Sequence, residues 1–324
     1  MKNVITSRTI HNRVLASVAT FLFMASGMLN AQAGKTYSQL TAEHPGWTQV
    51  PGALVSPDCV HQIPNGAKVG ASAGRAGEDV TLNGQLIAHY DPCLEASIST
   101  RQLVQDPGTG NGWVEASQWN TALKSGDNID DLYGYWTVPP IPKTYGALVY
   151  LFNGVEPSGG AWIMQPVLQF GSNGLFGGDY WVFASWLVHS NQDYFVSSTV
   201  LSVNPGDSLS GAVWETSVSG GTLGYDIAAT DYTTNQSSLL SLTATGFQWI
   251  WAYAGVLEAY NVTSCSEFPK GSSGSLGFTK THVYHGYPNL DYLKPDFHSA
   301  EYNYGGPSCK FKVTVSGSLS TLYF

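Results

Sequence analysis

The stretch Ala161-Trp162-Ile163-Met164-Gln165-Pro166-Val167-Leu168-Gln169-Phe170 decides how this chain reads. It is apolar except at Gln165, Pro166 and Gln169, it is rich in β-formers, and Pro157-Ser158-Gly159-Gly160 leads into it, so it predicts a strand. Side chains alternate along a strand, which puts Ile163, Gln165, Val167 and Gln169 on one face. Two primary amides on an otherwise apolar face need partners, because an unpaired buried amide costs about 1–3 kcal/mol. Backbone groups or water are the ordinary partners. The sharper alternative is a catalytic amide facing a carboxylate, which directs the search to acidic residues elsewhere on strand patterns.

Similar runs surround this one. Leu132 to Val138, Ala147 to Phe152, Tyr180 to Val188, Phe195 to Val203, Ser208 to Thr216, Leu223 to Ala229, Leu239 to Thr245, Gly255 to Val262, Leu276 to Tyr284 and Lys310 to Phe324 carry strand patterns parted by Gly, Pro, Asn, Asp and Ser. Many strands at short spacing, with no helical periodicity between them, predict an all-β fold over residues 106–324. The expected architecture is an antiparallel β-sandwich, a jelly-roll or concanavalin-like double sheet. No repeat of fixed period is present, which argues against a propeller or solenoid. With 36 Gly, 18 Tyr and 10 Trp against 11% charged residues, the composition suits turns and aromatic strands rather than amphipathic helices.

The chain begins with a different signal. Lys2, Arg8 and Arg13 precede the apolar segment Val14 to Leu29, and Ala31-Gln32-Ala33 follows, the order of a secretory signal peptide cleaved after residue 33. The apolar core is shorter than the ~20 residues a membrane span needs. The expected product is secreted and free of the membrane. Four cysteines permit three pairings, and an oxidising compartment favours two disulfides. Spacing favours Cys59 with Cys93 and Cys265 with Cys309, one per segment. Residues 34–105 read as a separate, small disulfide-bonded N-terminal segment, and Asp106 to Gly112 reads as a flexible, cleavable joint.

From Asp106 onward there are seven lysines, no arginine and 17 carboxylates, a formal balance of −10. Nucleic-acid binding is disfavoured, since it rests on basic clusters and arginine forks. Acid tolerance is favoured, because protonating carboxylates relieves net repulsion and breaks few ion pairs. His282-Val283-Tyr284-His285 lacks a third ligand at recognisable spacing, so no metal or other cofactor is expected.

Gly255-Val256-Leu257-Glu258-Ala259-Tyr260-Asn261-Val262 places one Glu inside a strand pattern, on the face shared by Val256, Tyr260 and Val262. With this piece a resemblance forms. Asn111-Gly-Trp113, Gly134-Tyr-Trp-Thr-Val-Pro139, Asn153-Gly-Val-Glu156, Ile163-Met-Gln165, Asp179-Tyr-Trp181 with Ser185-Trp186, Pro205-Gly-Asp207 and Val256-Leu-Glu258 follow the order and approximate spacing of the glutamic peptidases called eqolisins. The chain also resembles, more distantly, neprosin-type glutamic peptidases. The resemblance covers about Asn111 to Tyr284. It implies a sandwich with a substrate groove across one concave face, the catalytic Gln at Gln165 and the catalytic Glu at Glu258. It implies substrate-binding positions at Glu156, where the family more often has Asp, at Gln169, where an acidic residue is usual, and at Trp186. Residues 34–105 would correspond to a pro-segment. Family pro-segments tend to be basic, whereas this one holds four basic and six acidic residues, so steric occlusion is expected rather than charge attraction.

The chemistry suits these residue types. Peptide hydrolysis needs an activated water, an acid for the leaving amine and a donor for the developing oxyanion. A Glu can take and return the proton, and a Gln amide can orient the water and bond the tetrahedral oxygen. An unperturbed Glu has a pKa near ~4.3, so such an enzyme should work in acid. The expected partner is a protein or peptide substrate, met by a monomer. The rival readings are a jelly-roll lectin whose groove tryptophans stack on sugars, and a polysaccharide-cleaving enzyme using Glu156 with Glu258.

Overall fold

The computed structural model describes residues 35–324 apart from 94–97, 101–104, 107, 190–192 and 270–273; the expected signal peptide lies outside the described residues. Trp162–Phe170 is a strand throughout, and all nine of its residues are buried. Burial on both faces explains why the run is almost continuously apolar. The alternation is the expected one. Met164, Leu168 and Phe170 join the clusters packed between two sheets, while Ile163 and Val167 join a third cluster on the opposite face.

This strand pairs with Leu148–Pro157 on one side and Trp181–His189 on the other. Leu148–Pro157 pairs in turn with Trp249–Val262, and that strand pairs with Gly110–Asn120. The nine-stranded sheet so formed stacks on an eleven-stranded sheet centred on Asp131–Thr137, Ser208–Ser219, Thr222–Asp231 and Gln236–Thr245. Leu151 and Phe183 from the first sheet meet Trp136 and Leu209 from the second, all buried. Each such side chain contributes about 1.5–3 kcal/mol through its removal from water. The fold is the expected antiparallel β-sandwich, and both expected disulfides, Cys59–Cys93 and Cys265–Cys309, are present.

The N-terminal segment is less separate than its sequence suggests. Val60–Ile63 pairs in parallel with Tyr194–Ser197 at the edge of the nine-stranded sheet, and Lys68–Ala71 pairs in parallel with Gln236–Thr245 at the edge of the other. Glu78–Leu82 and Gln85–Tyr90 continue that second sheet outward. Sheet edges carry unpaired backbone groups, and this segment satisfies them at one edge of each sheet. Its remaining strands, Thr48–Val50, Ala53–Val55 and Ile98–Ser99, form a three-stranded sheet of their own. Val50, Ala53 and Val55 pack against the outward face of the nine-stranded sheet, in the cluster that holds Ile163 and Val167.

Three other differences have local causes. The anticipated joint ends early, because Gly110, Asn111 and Gly112 are buried at the start of Gly110–Asn120. Val262 leaves the face it was expected to share with Glu258 and joins the inter-sheet core; Asn261 takes a left-handed conformation, φ 58°, at a register shift. Tyr37–Glu43 is a short helix closed by a capping box between Thr36 and Gln39, a Thr-x-x-Gln signal present in the sequence.

Candidate active site

Gln165 and Glu258 project from the same face of the nine-stranded sheet, with Leu148–Pro157 between their strands. In register, Glu258 lies opposite Tyr150, which lies opposite Gln169. Gln165 is four residues from Gln169 and so sits diagonally from Glu258. Both line one cleft, together with Pro51, Gly52, Trp113 and Ile163. The intervening strand makes room beside the amide through Gly154: a Cβ there would come within 2.6 Å of the Met164 carbonyl and 3.3 Å of the Gln165 Cβ.

The two strand amides have opposite surroundings. Gln169 is satisfied, since its Nε2 donates to the Gly171 carbonyl at 2.8 Å and the Phe176 carbonyl at 3.1 Å, and its Oε1 accepts from Asn173 at 3.2 Å. It holds the 171–176 loop. Gln165 is 1% exposed, and neither its Nε2 nor its Oε1 finds a hydrogen-bond partner among the described residues.

Glu258 is fully buried. Its Oε1 accepts from the Gly52 amide at 2.7 Å and from the Tyr260 hydroxyl, which also meets the Thr100 hydroxyl. Burial, and then the Glu258 charge, push the phenols of Tyr260, Tyr150 and Tyr37 well up, so all three are neutral hydroxyls around the carboxylate. The Tyr150 hydroxyl donates to the Gln49 carbonyl at 2.7 Å. Gly52 belongs to a two-residue hairpin turn, Pro51-Gly52, between Thr48–Val50 and Ala53–Val55. Pro at the first central position and Gly at the second, with φ +81°, fit a type II turn. The amide between those two residues is not used by the hairpin ladder, which leaves it to donate to Glu258.

Glu156 is buried on the same face and receives the Tyr253 hydroxyl. Trp186 is the cross-strand neighbour of Gln165, fully buried, and packs on Phe176 with ring centroids 5.7 Å apart. Sequence reasoning missed Gly52, Thr100 and Tyr253. The Pro51-Gly52 pair signals a turn, but nothing local shows where the turn will dock. Away from the cleft, His285 bonds Asp127 at 2.8 Å and His282 stacks on Tyr133. No group of three or more His, Cys, Asp or Glu residues suited to a metal ion occurs among the described residues. No helix among them is long and apolar enough to cross a membrane.

No protein-family model matches the chain, and no curated protein matches it. Solved structures do. Scytalido-glutamic peptidase with a peptide-based transition-state analogue is 15% identical, with a TM-score of 0.44 over 67% of this chain and 98% of that one. SCP-B, a member of the eqolisin family in complex with the tripeptide Ala-Ile-His, is 14% identical, with a TM-score of 0.42 over 67% and 98% of the two chains. Aspergilloglutamic peptidase from Aspergillus niger is 15% identical, with a TM-score of 0.30 over 55% and 98%. The structures this chain is similar to thus include glutamic peptidases of the eqolisin family, the family its sequence resembles.

Proposed function

We propose that this chain is a secreted glutamic endopeptidase that acts in acid and is held inactive by residues 34–105. The observation that carries the reading is the pairing, in one cleft, of a buried carboxylate and a buried amide that has no hydrogen-bond partner among the described residues. Glu258 takes the proton of a water molecule and returns it to the leaving nitrogen. Gln165 orients that water and donates its N–H to the tetrahedral oxygen, an interaction worth about 3–4 kcal/mol where comparable donors have been removed. Tyr260 supports the carboxylate as a neutral donor. Glu156 and Trp186 line the substrate side, and Gln169 contributes by fixing the 171–176 loop.

The same geometry supports steric inhibition. The Pro51-Gly52 turn sits at the cleft and its amide occupies the Glu258 oxygen that a water would use. Activation then requires a cut between Thr100 and Gly110, and displacement of the hairpin.

The test is hydrolysis of a denatured protein substrate at about pH 3–5, a range that brackets the unperturbed Glu pKa, with pepstatin present. The parent, once processed, is expected to cleave and Glu258→Gln to be inactive while folded. A processed parent that cleaves no protein substrate would overturn the proposal.

A further inference from the structure

On the far side of the molecule, the outward face of the eleven-stranded sheet carries aromatic rings that the core does not use. Tyr133 and Tyr135 alternate along their strand with the buried Leu132 and Trp136, and so point to solvent. Trp214 projects from the neighbouring strand, and Tyr232, 53% exposed, follows the next one. Ser210 and Ala212 are the cross-strand partners of Tyr135 and Tyr133. Two small residues beside two tall rings make a floor and a wall. The result is a shallow, open groove of about 290 Å³, with Trp214 and Asp131 at one end and Tyr232 at the other. The wall is continuous: Tyr135 and Tyr232 have centroids 6.0 Å apart at 26°, and Tyr133 and Tyr135 have centroids 6.1 Å apart at 82°. Partly exposed rings gathered in one groove mark a binding surface more often than chance exposure does.

The chemistry of the lining selects the ligand. Flat apolar rings flanked by hydroxyls and one carboxyl match a pyranose, whose C–H face stacks while its hydroxyls bond. Nucleobases also stack on tyrosines, but their binding needs a cationic track for phosphates. One cation stands at the groove, Lys280, whose Nζ lies 5.9 Å from the Tyr135 ring centroid; a single lysine is not a phosphate track, and the chain from Asp106 onward has a formal balance of −10. Acidic glycans are disfavoured at neutral pH by the same balance. We propose that this groove binds a neutral polysaccharide chain, with sugar rings against Tyr135, Trp214 and Tyr232 and hydroxyls bonded to Asp131 and Ser210. Burial, and then the Asp130 charge, raise the Asp131 carboxyl to about 7, so in acid it is a neutral group able to donate as well as accept. The site stands apart from the peptidase reading and would tether the protein to a neutral glycan surface.

The experiment is native electrophoresis of the full-length protein through gels holding hydroxyethyl cellulose, β-1,3-glucan or xylan. At least one glycan should retard the parent. Trp214→Ala with Tyr232→Ala should weaken binding by about tenfold or more. Ala212→Tyr fills the groove floor and keeps the rings, and it should abolish retardation without altering the near-ultraviolet circular dichroism of the core. Cleavage of a soluble peptide should be unchanged in both variants. The proposal is overturned if none of the three glycans retards the parent. It is also overturned if Ala212→Tyr binds as the parent does, or if only single-stranded RNA or a proline-rich peptide is retained.

Discussion

Gln165 and Gln169 are the same residue type on one face of one strand, yet their environments predict opposite mutational outcomes. Gln169 spends its amide on the 171–176 loop, so Gln169→Leu leaves loop carbonyls unpaired and should cost about 1–3 kcal/mol of stability. Gln165 has no such partner among the described residues, and its desolvated amide is a burden to the fold. Gln165→Met, close in volume, should therefore leave stability unchanged or raise it, while lowering peptide hydrolysis by orders of magnitude. Urea denaturation and a peptide-cleavage assay on the two variants separate these outcomes; a Gln165→Met that is unstable yet active would defeat the catalytic assignment. Gln165→Ala and Glu258→Gln should also combine with little further loss, because residues acting as one unit fail together.

At the scale of elements, the hairpin Thr48–Val50 and Ala53–Val55 joins the N-terminal segment to the candidate chemistry. Proline at position 52 removes the N–H that bonds Glu258, and its fixed φ near −65° opposes the +81° found there. Precursor carrying Gly52→Pro should cleave peptide faster than intact parent precursor during the first minutes at about pH 4, near the ~4.3 of an unperturbed Glu. Equal initial rates would show that the turn does not restrain the site. The strands of the sandwich were legible because apolar runs and Gly/Pro/Asn punctuation are local signals. The face of Gln165 and the strand position of Glu258 were legible for the same reason. Three kinds of feature were not. Parallel edge pairings such as Val60–Ile63 with Tyr194–Ser197 join residues over 130 positions apart and leave no local trace. Glycines at 110 and 112 read as a joint although they begin a buried strand. The left-handed Asn261 moved Val262 off the Glu258 face, since period-two reasoning assumes an unbroken pleat.

At the scale of the whole molecule, buried acids tie stability to pH. Burial is the leading cause in each case: Glu78 is raised to about 8, with the Asp193 charge adding; Glu115 to about 9; Asp131 to about 7; and Glu215 to about 8, with Asp130 adding a hydrogen bond and charge. Below the unfolded values of 4.5 for Glu and 3.8 for Asp, both states hold these protons and stability is fully present. As pH rises, the unfolded chain releases them while the folded chain retains them, so stability falls until the folded values of about 7 to 9 are passed. Three groups oppose this trend. His189, lowered to about 4 by burial, loses its contribution as pH falls from 6.5 towards 4, and the partly exposed Asp79 and Asp106 carboxyls lie below their ordinary value. The four raised acids outweigh them, because Asp79 and Asp106 are screened by solvent. Urea midpoints should therefore be higher near pH 4.5, the unfolded Glu value, than near pH 9, the highest folded value among the four. Glu115→Gln, which removes the most strongly shifted of these acids, should flatten the slope between them. A midpoint that rises from the acid to the alkaline end would contradict this account, and an unchanged slope in Glu115→Gln would remove Glu115 from it.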